Sequence, residues 1–122
     1  MTEGTIASES AAIDALERLK RWGGETLVRD MSEMFAREMP QRLADARAAL
    51  SVGEVATAGN ATHSMKSSAG QFGAVALEKL CADAEQLAEE ANTGSLMSVL
   101  DEIARELDAF LQWLAASTRA KA

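Results

Sequence analysis

The chain is poor in the residues that staple, break or redirect a fold. Its single cysteine cannot close an internal disulfide, and a reducing cytoplasm is the simplest expected compartment. It has one proline, one histidine and no tyrosine, and aromatics make up only 4% of its 122 residues. Such a shortage of strand-favouring side chains argues against a β-rich fold. Positive charge is also short, with 12 Lys and Arg against 19 Asp and Glu, for a net charge of −7. The basic footprint of a nucleic-acid binder is missing, and an anionic membrane surface is a poor partner. No apolar run approaches the ~20 residues that span a bilayer. The opening MTEGTIASES has neither the basic nor the apolar region of a secretory signal.

What remains is rich in Ala, Leu, Glu and Met, all good helix formers. The length suits one domain with a core of its own. The expectation is an all-α fold, built from residues 10–117 between flexible ends at 1–9 and 118–122. The initiating Met and the short polar ends favour a stand-alone chain.

Apolar periodicity divides the chain into helices. A short one runs from about Ser10 to Trp22 on Ile13, Leu16 and Leu19, and Gly23-Gly24 ends it. A long one follows from Glu25 to Ser51, with Leu27, Met31, Met34, Phe35, Met39, Leu43, Ala46 and Leu50 on one face. Pro40 predicts a bend there and not an end, because the apolar stripe stays in phase across it. Gly53 breaks the chain, and a third helix runs from Glu54 to Ala69 or Phe72. A fourth spans Ala74 to Ala91, with Leu77, Leu80, Cys81, Ala84, Leu87 and Ala88 inward. After a turn at Asn92-Thr93-Gly94, Ser95 is the candidate cap of a last helix to Ser117. The methionines 31, 34, 39 and 65 read as core filler. Short loops make sequential helices antiparallel neighbours. The pattern therefore predicts an up-down-up-down four-helix bundle with a short additional N-terminal helix.

The chain's one histidine stands out against this pattern. On its helix Val55, Ala58, Thr62, Met65, Ala69 and Phe72 form the inward stripe, in the 3-and-4 spacing of a bundle core. At about 100° per residue, His63 projects roughly 130° from the centre of that stripe, so it belongs outside. Its neighbours on that side are Gly59, Asn60, Lys66, Ser67 and Gly70. All but Lys66 are small, and each glycine costs a helix about 1 kcal/mol relative to alanine. Small residues around an exposed imidazole let another molecule approach it closely. Lys66, one turn away, could neutralise an anion held on the ring. The set suits a nucleophilic histidine that takes up a phosphoryl group, a transfer that needs access and charge neutralisation above all. A carboxylate on the far ring nitrogen could fix the tautomer. The plain alternative is an ordinary surface histidine.

The run His63-Ser64-Met65-Lys66-Ser67-Ser68-Ala69-Gly70-Gln71-Phe72-Gly73-Ala74, followed by Leu77, Cys81 and Glu85, resembles the histidine-containing phosphotransfer (HPt) domain family. The Gly-Gly turn before a long helix, Phe35, the Pro40-Gln41-Arg42-Leu43 run and Gly53 extend the resemblance over about residues 10–116. It implies a four-helix bundle that relays phosphoryl groups between aspartates of response-regulator receiver domains. It further implies His63 as phosphoacceptor through Nε2, Lys66 as stabiliser of the phosphoryl group and Glu85 as the residue that orients the imidazole. Gly59, Asn60, Ser67 and Gly70 would form the surface that a receiver approaches. Receiver domains and an upstream sensor or hybrid histidine kinase are the implied partners, with Mg²⁺ held by the receiver and no cofactor in this chain. The position of Ser67 is usually glycine in the family, which puts docking geometry or rate in question. No nucleic-acid or membrane partner is expected, and a monomer is.

The main rival is a silent HPt-like adaptor that binds a partner without phosphotransfer. Intact His63 and Lys66 argue against it. A kinase dimerisation segment would carry an acidic residue beside its histidine and a proline soon after, whereas Ser64 follows His63 and no proline lies downstream. With no Gly-rich nucleotide loop, self-phosphorylation from ATP is not expected, so the chain reads as a carrier and not an enzyme. A metal or haem bundle needs more ligands than one His and one Cys, and Cys81 falls on a core stripe.

Overall fold

A computed structural model describes Ile6 and residues 9–119. The expected flexible ends lie mostly outside these residues, although Glu9, Thr118 and Arg119 are helical. The described residues form four helices and no strand: α1 Glu9–Ser51, α2 Val55–Gln71, α3 Val75–Glu89 and α4 Thr93–Arg119.

Gly23 and Gly24 carry the non-helical dihedrals inside α1, with Gly24 in the left-handed region at φ 72°. The expected end of the first helix is thus a break within α1. Pro40 sits inside the continuous helix beyond that break. Its ring fixes a φ that suits a helix, and the stripe through Phe35, Met39, Leu43, Ala46 and Leu50 stays buried across it.

The three turns between helices share one hydrogen-bonding pattern. After α2, the Gly73 N–H bonds the Gly70 carbonyl at 3.2 Å and the Ala74 N–H bonds the Ala69 carbonyl at 2.9 Å. This is the paired bonding of a Schellman turn, which needs a left-handed residue just past the helix. Gly53 fills that place after α1, with φ 80°. After α3 it is filled by Ala91, with φ 56°, and the Asn92 N–H bonds the Leu87 carbonyl at 2.9 Å. The turn therefore falls earlier than expected. Asn92, and not Ser95, is the cap: its Oδ1 accepts the Ser95 N–H at 3.3 Å, and α4 begins at Thr93.

The core is built on the predicted stripes of α2, α3 and α4, while the first arm of α1 turns Ala12 and Ala15 inward and leaves Ile13, expected on its apolar face, exposed. Trp113 is buried and donates its Nε1–H to Glu9 at 2.9 Å, which ties the start of α1 to α4. Ser32 is buried as well, with its hydroxyl unpartnered. Met34, expected in the core, is exposed. It follows Ser32 by two positions, so the two face different ways on the helix, and the smaller residue took the inward place. Phe35 packs on Phe72 at 4.5 Å and on Phe110 at 5.6 Å between ring centroids, and Phe110 packs on Trp113 at 5.5 Å. Four of the few aromatics thus gather at the end of the bundle where α2 turns into α3.

Candidate functional site

Helix α2 buries Ala58, Thr62, Met65 and Ala69. That stripe fixes its rotation and sends His63 outward, where the side chain is 58% exposed. Helix α3 is fixed in turn by buried Leu77, Cys81 and Ala84. Glu85 follows Ala84, so it comes up at the seam between the two helices, half-buried.

At the seam one carboxylate makes two contacts. Oε2 of Glu85 lies 2.8 Å from His63 Nδ1, and Oε1 lies 2.7 Å from Lys66 Nζ. An ionised carboxylate only accepts hydrogen bonds, so a neutral imidazole in this contact carries its proton on Nδ1. Its Nε2 then holds the lone pair. Lys66 pushes the Glu85 carboxyl below its ordinary value, against partial burial, and His63 adds to the effect. Glu85 in turn raises Lys66, with the Glu78 and Glu89 carboxylates contributing at longer range. Both groups therefore keep their charges at neutral pH.

The small residues around His63 have a second job that the sequence did not show. A Cβ on Gly59 would stand 3.0 Å from the Cβ of Ala88, and one on Gly70 would stand 3.0 Å from Glu78 Oε2. Both glycines are half-buried and sit against α3. They have a packing reason as well as any role in access. Asn60 and Ser67 are exposed, and the Ser67 hydroxyl lies 3.5 Å from the His63 carbonyl.

Two other features lie apart from this seam. Burial pushes the Cys81 thiol up to about 12, so it is a core residue with no reactive thiolate near neutral pH. A groove of about 690 Å³ runs between the two arms of α1 and the end of α4, lined by Ile13, Leu16, Val28, Ser32, Leu111 and Leu114 among others. No cluster of three or more His, Cys, Asp or Glu among the described residues is arranged to hold a metal ion. No helix among them is long and apolar enough to cross a membrane.

A family model described as "Hpt domain" matches residues 30–113, well over half of the chain. No curated protein and no solved structure matches the chain.

Proposed function

Since the chain belongs to the Hpt domain family, whose members are phosphocarrier modules of two-component signalling that interact with receiver domains, we propose that it relays a phosphoryl group between receiver aspartates on His63 Nε2. The observation that carries this reading is the contact between His63 Nδ1 and Glu85. It supports a ring proton on the inner nitrogen, with the outer one nucleophilic on an exposed face.

In loading, the Nε2 lone pair attacks phosphorus of a receiver aspartyl phosphate. The N–P bond forms as the P–O bond to the aspartate breaks, and the electron pair leaves with the carboxylate. The ring keeps its Nδ1 proton, and the positive charge it gains faces Glu85. Unloading to a second receiver runs the same step in reverse. Lys66 supplies a cation one helical turn from the phosphoryl group. Mg²⁺ belongs to the receiver and neutralises charge there. Gly59, Asn60, Ser67 and Gly70 form the surface on which the receiver lands. The chain does not phosphorylate itself, and it acts as a cytoplasmic monomer.

The same reading takes the bundle as up-down-up-down, with the segment before Gly23 as an added short helix. Packing of α1 on α2, α2 on α3 and α3 on α4 across short turns, with α4 returning to pack on α1, supports that order.

The test is transfer from a receiver that carries radiolabelled phosphate. The chain should gain acid-labile label, and His63→Gln should gain none. Undiminished label on His63→Gln would reject the assignment.

A further inference from the structure

Resting on that phosphocarrier reading, we propose that Glu85 sets how readily His63 gives up its phosphoryl group, by competing with that group for Lys66. Glu85 would then be more than a clamp on the ring. It is a positioning residue whose second contact withholds the site's nearest cation.

The two contacts of Glu85 have different fates on loading. The bond to His63 Nδ1, 2.8 Å long, is kept, because the proton stays on that nitrogen and the ring becomes more positive. The bond to Lys66 Nζ, 2.7 Å long, meets a rival. A phosphoryl group on Nε2 carries more negative charge than one carboxylate. It stands one helical turn from the lysine, since residues three apart share a helix face. The lysine head is compact, has three donors and rides on a flexible stem. It can pass from Glu85 to the phosphoryl group by side-chain rotation alone, with no change in either helix.

Sharing the lysine has a consequence for a carrier. A cation held wholly on the phosphoryl group stabilises the loaded state and makes the group harder to pass on. A cation divided between two anions stabilises it less. Glu78 and Glu89 also lie close enough to raise Lys66, so the surrounding field favours keeping the lysine on the α3 side. A neutral side chain of the same shape at position 85 would keep the ring hydrogen bond and give up the competition. It would also lose the carboxylate's attraction for the cationic ring, an effect that does not depend on Lys66. Glutamine is that side chain, because its carbonyl oxygen still accepts from Nδ1–H.

The full chain is loaded with phosphoramidate, which needs no protein partner, and then equilibrated with a receiver domain. The ratio of label on the two proteins is measured for wild type, E85Q, K66A and the double variant. E85Q should shift the equilibrium toward phosphorylated His63 by about threefold, the size expected of one half-exposed ion pair. The phosphoryl titration midpoint, followed by ³¹P NMR, should fall in E85Q. Both effects should be smaller in the K66A background, because the part that comes from competition for the lysine is lost there. An E85Q effect of equal size with and without Lys66, no shift, or a shift toward the receiver would overturn the proposal. Should E85Q melt below the assay temperature, the ¹⁵Nζ resonance of Lys66 in the wild type reads the same exchange. It must move on phosphorylation, and an unmoved resonance overturns the proposal. A wild-type chain that takes no label from either donor is a separate result, which removes the carrier reading itself.

Discussion

Glu85 reaches across from α3 to hold His63 Nδ1 at 2.8 Å, and the same carboxylate holds Lys66 at 2.7 Å. The pair of contacts makes acid stability a reporter of the site. Glu85 is depressed below its ordinary value of 4.5, chiefly by the Lys66 hydrogen bond. A carboxyl depressed on folding contributes stability that is present above its unfolded value and is lost as pH falls through its folded value. E85Q should therefore lower Tm at neutral pH by at most about 5 °C, given how little a half-exposed pair is worth. As pH falls below the ordinary carboxylate value the wild-type and variant curves should draw together, and they should meet once pH passes below the folded value of Glu85. Thermal melts followed by circular dichroism between acid and neutral pH check this, and parallel curves would count against it.

Gly73 makes a different kind of demand. Its φ is 67°, and a Cβ there would collide with the Ala11 carbonyl where the first arm of α1 crosses the turn. The left-handed backbone alone costs a non-glycine residue about 1–2 kcal/mol, and the collision adds to it, because a backbone carbonyl cannot swing aside. Gly73→Ala should lose at least about 2 kcal/mol in urea denaturation. A loss below half of that would mean that the first arm lifts off the turn at little cost.

Ala91 occupies the same place after α3 without being glycine, at φ 56°. Here the substitution should run the other way. Ala91→Gly relieves a left-handed alanine in an exposed turn and should stabilise the fold by up to about 1 kcal/mol. The offset is the greater freedom of glycine in the unfolded chain. Denaturant midpoints for the wild type and A91G decide the sign.

The contrast between Gly73 and Ala91 explains much of what the sequence told and withheld. Gly53 and Gly73 announced their turns, because glycine is the usual residue at that position of a Schellman turn. Ala91 hid its turn, and Asn92-Thr93-Gly94 drew the expected start of α4 two residues too late. The apolar stripes of α2, α3 and α4 were legible because a bundle repeats one inward face along each helix, whereas the first arm of α1 buries Ala12 and Ala15 in place of the expected Ile13. His63 was legible for the same reason, as a departure from its stripe. Met34 and Trp113 were not. Which of two neighbouring apolar residues turns inward depends on the helix across from it, and a single helix's periodicity carries no record of that partner. The packing of Gly59 and Gly70 was hidden likewise, since Ala88 and Glu78 meet them only after α2 and α3 have closed together.

Gly70 allows its two roles to be separated. It lies near the end of α2, where alanine would be the better helix former by up to about 1 kcal/mol. The atom that a new Cβ would press is Glu78 Oε2, at 3.0 Å. That oxygen is the far end of a flexible side chain on an exposed residue, so it can move away. Gly70→Ala should therefore hold or raise Tm, unlike Gly73→Ala, which should lower it. Under the carrier reading the added methyl also stands on the surface that a receiver must approach, and it disturbs a carboxylate near Lys66. Phosphoryl transfer should slow several-fold while stability does not fall. A variant that transfers as fast as wild type would leave Gly70 with packing alone. One that is less stable would show that Glu78 cannot yield. Melting curves and rapid-quench transfer measurements on the same preparation separate these outcomes.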